Sequence, residues 1–328
     1  MSMKPTSFAV RLAAIGLGIL AAIPSSKAEE TWTAELPNVR AGVPEALLPP
    51  PGVYGQWDDY MAIFDAYDPE SRKIPGSGID LLVEIPTILW VPGIKILGAD
   101  YAAAVAIPFM YASDTPVQAQ HPGRGNLGLF NTAIMPIMLS WSLTNHLFFG
   151  ASTTFLLPDQ TNATMSILNG SMKNGGAPSG NSYSSFMPRM GITWMDDGWT
   201  INAGAGLEVP LGPTVSKRTL EWANPYGQVS TLHGYHYRVA PFLIDDVTIS
   251  KTFGAWTLGV SGCNTPELAK DTLNGHSVPG SIYNTFSVGP VVSYQFKSGL
   301  QLTGVWAYDW TKNGLGGNLF DLRFAAPL

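Results

Sequence analysis

The C-terminal stretch from Leu300 to Leu328 constrains the fold more than any other part of the chain. Apolar residues occupy every second position of its last segment, at Phe320, Leu322, Phe324, Ala326 and Leu328. The positions between them include Asp321 and Arg323, so the pattern predicts a β-strand with two unlike faces. Residues 301–310 alternate in the same way, and the Asn/Gly-rich residues 313–317 between the two segments predict a turn.

The chain ends on this strand without a polar tail. A strand of a soluble sandwich would also alternate, but an apolar face that ends in aromatic residues is typical of a strand that faces lipid. The partner of such a strand would be the first strand of a closed barrel, because closure removes both free edges. We therefore predict an all-β fold, an up-and-down antiparallel transmembrane β-barrel.

The N-terminus is consistent with export to the cell envelope. Lys4 and Arg11 precede an apolar run over residues 12–24, and the small residues Ser26 and Ala28 follow it. This order predicts a cleavable signal peptide over residues 1–28, since the run is too short to span a membrane. A retained membrane anchor is the alternative.

The composition is consistent with a barrel. No later stretch holds 18 uninterrupted apolar residues, which argues against a helical membrane protein. Charged residues nevertheless make up only 13% of the chain and the mean hydropathy is +0.11, values that are apolar for a soluble domain. The net charge of −6 argues against nucleic acid as a partner. A single cysteine, Cys263, excludes an intrachain disulfide framework.

The mature chain divides into two parts. Residues 29–52 are rich in proline and small residues, which predicts extended or irregular chain. This part is either a periplasmic lead-in, which we favour, or a short plug folded into the barrel mouth. Residues 53–328 form the predicted barrel.

Twelve stretches of the barrel region resemble strands, and ten or fourteen are the alternatives. They cover residues 53–67, 79–91, 99–112, 126–143, 146–158, 183–195, 199–211, 234–250, 254–262, 281–297, 299–311 and 318–328. Long and short connections alternate between them, as hairpins with short periplasmic turns and long outer loops require. The adjacent acids at 58–59 and 245–246 suggest bulges or strand ends.

Charged residues recur on the faces that we predict to point inward. These lumen-lining candidates are Asp80, Glu84, Arg189, Glu208, Arg238, Asp309, Asp321 and Arg323. Folding the hairpins places Arg189 diagonal to Glu208 and Asp309 near Arg323. Such charges could pair to stiffen the wall, line a narrow polar path that selects solutes, or do both.

Other motifs in the sequence do not predict a catalytic or binding site. Residues 123–128 match G-x-G-x-x-G, but no strand precedes and no helix follows them, as a dinucleotide site requires. His233 and His236 are three apart, which on a strand directs them to opposite faces. We predict no catalytic, metal or cofactor site. A barrel enzyme with a Ser–His pair that acts on lipid remains an alternative.

Several segments resemble the outer-membrane transporter family named for the MetA pathway of phenol degradation. They are Pro50–Tyr54, Phe155–Pro158, Gly289–Phe296 and Asn318–Phe324. Members often continue Leu-Pro at the strand end as Leu-Pro-Thr-Gly, whereas Asp159 and Gln160 follow here. The resemblance brings no catalytic or binding set. It implies passage of small, often aromatic or otherwise hydrophobic compounds across the outer membrane.

We therefore expect a monomeric outer-membrane channel of about twelve strands, with membrane lipid and small organic solutes as its partners. A barrel of this size has a narrow lumen and should select solutes by size. The second alternative, beside a lipid-acting enzyme, is a structural barrel whose lumen is filled.

Overall fold

The computed structural model describes residues 33–114, 126–159, 180–181, 183–212, 214–215, 219–223, 229–233 and 236–328. Twelve long strands form one antiparallel barrel. They are β1 (Gly52–Tyr67), β2 (Lys73–Val91), β3 (Ala99–Ala106 and Phe109–Asp114), β4 (Asn126–Leu129 and Ala133–Ser142), β5 (Leu147–Leu156), β6 (Ser184–Asp196), β7 (Trp199–Leu211), β8 (Phe242–Phe253), β9 (Trp256–Pro266), β10 (Asn284–Gln295), β11 (Gln301–Lys312) and β12 (Gly314–Pro327). The predicted signal peptide lies outside the described residues.

Each strand pairs with its neighbours in the chain, and the last strand pairs with the first. The closing seam between β12 and β1 runs from Tyr54 opposite Pro327 to Tyr67 opposite Gly314. Both halves of β3 pair with β2, so the break in β3 does not open the wall. The prediction of a closed, up-and-down barrel of twelve strands is confirmed.

The two ends of the barrel differ in their connections. β1 begins and β12 ends at the same end, where the turns 143–146, 197–198, 254–255 and 296–300 are short. The long connections meet at the other end and contribute two small sheets there. One contains Thr214–Val215, His236–Arg238, Thr272–Leu273 and His276–Ser277, and the other pairs Thr219–Ala223 with Val229–His233. Among the described residues there is no helix of the length and apolarity needed to cross a bilayer.

The outer face of the barrel is apolar. Ile63, Leu82, Ile192 and Leu258 are all exposed on it. Exposed aromatic residues lie near both ends of the strands: Trp90, Trp199 and Trp256 at the short-turn end, and Phe286 and Trp310 at the end with long connections. Aromatic side chains at these two levels are typical of the two membrane–water interfaces.

The interior toward the long connections is also apolar. A cluster of fully buried side chains includes Tyr60, Val83, Met110 and Leu319. On β2 the residues 79, 81, 83 and 85 are therefore the inward ones. Both faces of this sector are apolar, so alternation of hydrophobicity alone could not assign inside and outside there.

Several predicted boundaries and irregularities are wrong. The acid doublets 58–59 and 245–246 lie within regular pairing, with one acid of each doublet directed inward. β8 begins at Phe242 and not at residue 234, because residues 236–238 pair in the small sheet. β12 begins at Gly314, because the chain turns at Asn313, whose φ is 57°.

Gly317 lies within β12, although residues 313–317 were predicted to form a turn. Its φ is 152°, and a Cβ atom there would lie 2.3 Å from the carbonyl oxygen of Ile63 on β1. The closing seam therefore requires glycine at this position, because any side chain would push β12 away from β1.

We expect Gly317→Ala to destabilise the barrel by about 1–3 kcal/mol, through backbone strain and the clash with β1. Gly304→Ala on the neighbouring β11 is a matched control, since a Cβ there meets nothing within 4 Å. Urea unfolding of both variants in lipid, followed by heat-modifiable migration in gels, measures the difference. Equal midpoints for the two variants would show that the seam tolerates a side chain.

Candidate functional site: the barrel lumen and its N-terminal segment

Residues 33–51, here called the luminal segment, lie inside the barrel. Ala34 and Ala41 in this segment are 1% and 2% exposed. The backbone turns tightly, with the Ala41 amide bonded to the Asn38 carbonyl and the Val43 amide to the Arg40 carbonyl. We favoured a periplasmic lead-in over a plug for residues 29–52, and this preference is wrong for the described part of that region, which folds into the lumen.

Hydroxyl groups of the wall bind the backbone of the luminal segment. The amide of Gly42 donates to Thr248 Oγ1 on β8 at 3.1 Å. The amide of Ala46 donates to Thr193 Oγ1 on β6 at 3.0 Å, and its carbonyl accepts from Ser140 Oγ on β4 at 2.6 Å. These bonds satisfy backbone groups that would otherwise be buried without partners.

A row of three glycines makes room for the segment. Gly150, Gly191 and Gly204 lie opposite one another on β5, β6 and β7. A Cβ at any of them would come within 2.6–2.8 Å of Glu45. The row is therefore a groove in the wall that admits Glu45 and the start of Ala46.

Arg189 on β6 holds Glu45 in that groove. Its Nε and Nη2 donate to the Glu45 carboxylate at 2.8 and 3.1 Å, and Nη2 also contacts Asp246 on β8. Arg189 is 3% exposed, so its charge depends on these partners. Burial acts to raise the pKa of Glu45, but the charges of Arg189 and Arg40 outweigh it and leave this pKa below its ordinary value.

Arg323 on β12 forms the second anchor. It contacts Asp58 on β1 and donates to Asp321 at 2.6 Å. Its Nη1 donates to the carbonyl oxygen of Ala41 at 2.9 Å, and Nη2, which also binds Asp321, donates to that of Val39 at 2.8 Å. One guanidinium thus joins the closing seam of the barrel to the luminal segment.

Glu208 on β7 anchors the beginning of the segment. Both of its carboxylate oxygens accept from the amide of Ala34 at 3.2 Å, and Oε1 also accepts from Ser185 Oγ at 3.0 Å. Asp309 on β11 is equally buried and lies opposite Ser287 on β10. Within the described residues, neither carboxylate forms an ion pair.

The structure directs five of the eight lumen-lining candidates inward. They are Arg189, Glu208, Asp309, Asp321 and Arg323. The inward direction predicted for Asp80 and Glu84 is wrong, because the apolar residues of β2 fill the lumen in that sector. Arg238 is exposed in the small sheet and not part of the wall. That the five inward residues border a path for solutes stays a prediction.

The two predicted charge pairs have different outcomes. Arg189 lies opposite Gly206, which makes Glu208 its diagonal neighbour as expected, yet Arg189 pairs with other acids. Asp309 is not near Arg323, since these residues lie opposite Gly317 and Thr303 respectively. The hairpin turns at a single residue, and the register is therefore shifted from the expected one.

Sequence reasoning missed the acids that pair with the two arginines. Asp58 and Asp246 each belong to an acid doublet that we interpreted as an irregularity, although uninterrupted alternation would have directed one member inward. Glu45 could not be assigned, because it precedes the first strand and has no periodicity to place it. The glycine row was present in the sequence, but only strand register shows that its members are neighbours.

A cavity of about 500 Å³ lies at the short-turn end, between the luminal segment and the wall. Leu47, Leu48, Leu89 and Met138 contribute apolar surface, and the polar groups include the side chains of Gln56, Gln295 and Gln301. Arg40 and Glu45 border it too, but the carboxylate of Glu45 is bound by Arg189. The cavity therefore offers an apolar surface with amide hydrogen-bonding groups.

We expect Glu45→Gln to loosen the luminal segment, since it removes the segment's charge from Arg189 while Asp246 still neutralises that arginine. The readout is the rate at which a maleimide reaches a thiol introduced by Ala41→Cys, in a Cys263→Ala background. The rate should rise at least about tenfold, equivalent to about 1.4 kcal/mol. Glu35→Gln is the matched control, because Glu35 pairs with Arg40 inside the segment at 3.0 Å and approaches Arg189 only to 4.0 Å. Equal rates in both variants would show that Glu45 is not the anchor.

Comparison with known proteins adds a family and a shared fold. A sequence model of the family described as "Putative MetA-pathway of phenol degradation" matches residues 64–324. The crystal structure of the COG4313 outer membrane channel from Pseudomonas putida F1 aligns with 88% of this chain and 100% of its own, at 12% identity and a TM-score of 0.69. That likeness shows a common fold, and the apolar outer face with aromatic residues at two levels is typical of a barrel embedded in a membrane.

Two further structures align less closely. The Pseudomonas putida toluene transporter TodX aligns over 93% of this chain and 96% of its own, with 11% identity and a TM-score of 0.44. The β-domain of the Bordetella autotransporter BrkA aligns over 84% and 100%, with 10% identity and a TM-score of 0.47. A comparison with curated protein sequences gave no match.

Proposed function

We propose a function from one premise: the chain belongs to the family of the MetA pathway of phenol degradation. The function is passive passage of small, hydrophobic or aromatic organic compounds across the outer membrane. The observation that carries this proposal is the cavity between the luminal segment and the wall.

The size and chemistry of the cavity support neutral organic solutes. A volume of about 500 Å³ lies in the range of pockets that hold small organic molecules. Its apolar side chains suit a ring or short chain, and its glutamine amides suit one hydroxyl or carbonyl group. A family named for phenol degradation is consistent with aromatic compounds of this kind.

Charge distribution also supports a neutral solute. The guanidinium group of Arg323 is bound by two carboxylates, and that of Arg189 by two carboxylates with a third, Glu35, at 4.0 Å. Burying a further unpaired charge beside them would cost much desolvation free energy, whereas transferring a neutral molecule out of water costs little. Exclusion of strongly charged solutes follows from this arrangement.

Two alternatives to a channel are a lipid-acting enzyme and a structural barrel with a filled lumen. A lipid-acting enzyme would need a histidine beside a nucleophile, but His146 at the short-turn end contacts the Met195 carbonyl and Asp196. A structural barrel is favoured by the luminal segment, which occupies part of the lumen. Removal of residues 33–48 separates a channel from a structural barrel, because only a channel should then pass more solute.

We expect Ala325→Trp to reduce solute uptake about tenfold or more, because Ala325 lines the cavity and a large ring there would narrow it. Ala205→Trp is the matched control, because Ala205 is exposed on the outer face of β7 and does not line the cavity. Uptake of phenol and of an anionic benzoate is measured in liposomes that hold purified protein.

The variant that lacks residues 33–48 should pass phenol faster than the complete chain. Equal uptake by both tryptophan variants would mean that the cavity is not on the path. No uptake by either the complete or the shortened chain would identify a structural barrel instead of a channel.

A further inference from the structure

Three glutamines and one alanine of the barrel wall border the cavity at a single level, close to the short-turn end. Gln56 on β1 lies opposite Ala325 on β12, and Ala325 lies opposite Gln301 on β11. Gln301 in turn lies opposite Gln295 on β10. Neighbouring strands are about 4.8 Å apart, so the small side chain of Ala325 leaves a gap between the two glutamines beside it. We call these four residues the glutamine row.

A buried carboxylate fixes the orientation of the Gln56 amide. Nε2 of Gln56 donates to Asp58 Oδ2 at 2.8 Å, while Arg323 contacts the other oxygen of Asp58. A carboxylate paired with an arginine accepts hydrogen bonds and donates none. The Gln56 nitrogen therefore faces Asp58, and the carbonyl oxygen Oε1 faces away from it. Among the described residues, none donates a hydrogen bond to this Oε1.

The Gln295 amide is oriented in the same way. Its Nε2 donates to the backbone carbonyl oxygen of Leu300 at 3.2 Å, a group that can only accept. Oε1 of Gln295 is therefore directed away from Leu300, and it receives no hydrogen bond from the described part of the chain. The Gln301 side chain forms no hydrogen bond with a described residue, so its amide can turn toward a solute in either orientation.

The glutamine row therefore offers a solute hydrogen-bond acceptors whose orientation is fixed. A hydroxyl group can donate to Oε1 of Gln56 or Gln295, whereas an ether, a ketone or a hydrocarbon of the same size cannot. An acceptor that loses water without gaining a donor costs free energy, so a solute without a donor binds more weakly. Arg40 is a competing donor at the cavity, but its Nε and Nη2 are bound by Glu35 at 3.0 and 3.1 Å.

We propose that the glutamine row selects small neutral solutes that carry a hydroxyl group, such as phenols, over solutes of equal size that cannot donate a hydrogen bond. The inference rests on the proposed function and narrows its substrate class. Gln56 and Gln295 determine the specificity, because their carbonyl oxygens accept from the hydroxyl group. Leu47 and Leu89 line the same cavity and contribute apolar surface for the ring.

The test compares two isomers of equal composition: 4-methylphenol, which carries a hydroxyl group, and anisole, whose oxygen can only accept. Each is added at the same free concentration to the complete chain in liposomes, with Cys263→Ala and a reporter thiol introduced by Ala325→Cys. Bound solute should slow the reaction of that thiol with a maleimide. The dissociation constant for 4-methylphenol should be about tenfold lower than that for anisole, as expected for one hydrogen bond to an otherwise unpaired acceptor.

Removal of the acceptors should remove this preference. Gln56→Leu and Gln295→Leu should each reduce the ratio of the two dissociation constants, and the double variant should bring it within about twofold. Asn318→Leu is the matched control and should retain the ratio, because this amide lies on the outer face of β12, accepts from Trp306 and does not line the cavity. Heat-modifiable migration in gels confirms that each variant is folded.

Equal protection by the two isomers before any glutamine is changed would overturn the inference and leave the proposed function intact. A preference of the same size in the double variant would also overturn it, as would loss of the preference in Asn318→Leu. Protection by neither isomer would overturn the inference, and absence of solute uptake by the complete chain as well would overturn the proposed function.

Discussion

The pairing of β12 with β1 is the constraint on which the rest of the structure depends. Inside a bilayer no water is present to satisfy backbone amides and carbonyls, so each strand needs a partner on both sides. The seam achieves this over fourteen residues of β1, from Tyr54 to Tyr67. It requires close approach at Gly317, where a side chain would meet the carbonyl of Ile63. Once the seam is closed, the lumen is separated from lipid, and the polar groups buried in it need partners of their own.

The luminal segment provides partners for these buried polar groups. Ten strands contribute buried polar groups that face inward, and a narrow lumen holds too little water to solvate all of them. The segment provides Glu45 for Arg189 and backbone carbonyls for Arg323, and it receives hydrogen bonds from wall hydroxyls in return. Buried ion pairs of this kind contribute little net stability, but they bind the segment in one position. Separate polar contacts, with apolar packing at Leu36 and Val39, attach the segment to the wall without making it a strand of the barrel.

The two ends of the barrel have different chemistry. At the short-turn end the cavity is bounded by apolar side chains and glutamine amides, which suits neutral organic molecules. At the other end, an apolar cluster around Phe242 and Tyr283 fills the lumen. A solute that crosses the barrel must therefore pass the luminal segment at the short-turn end and an apolar interior at the other end. Both regions favour compounds that lose little on leaving water.

The barrel could be predicted from the sequence because alternation, strand number and connection length are local properties. Strands β6, β7 and β11 have nearly the predicted bounds, and the order of long and short connections indicated hairpins. The prediction failed where two distant parts of the chain compete for the same space. Asp80 and Glu84 face outward because side chains from four strands fill the lumen beside them, and no pattern within β2 records that.

The sequence by itself determined the closed antiparallel barrel, the direction of most strand faces and the inward position of Arg189, Glu208 and Arg323. A period of two and a lipid-facing surface suffice for these properties. Only the tertiary structure decided which groups meet inside. Glu45 reaches Arg189 across 144 residues of chain, and Gln56 and Gln301 flank Ala325 once the seam is closed. Those contacts depend on register and on the volume left in the lumen, which are set when all twelve strands close together.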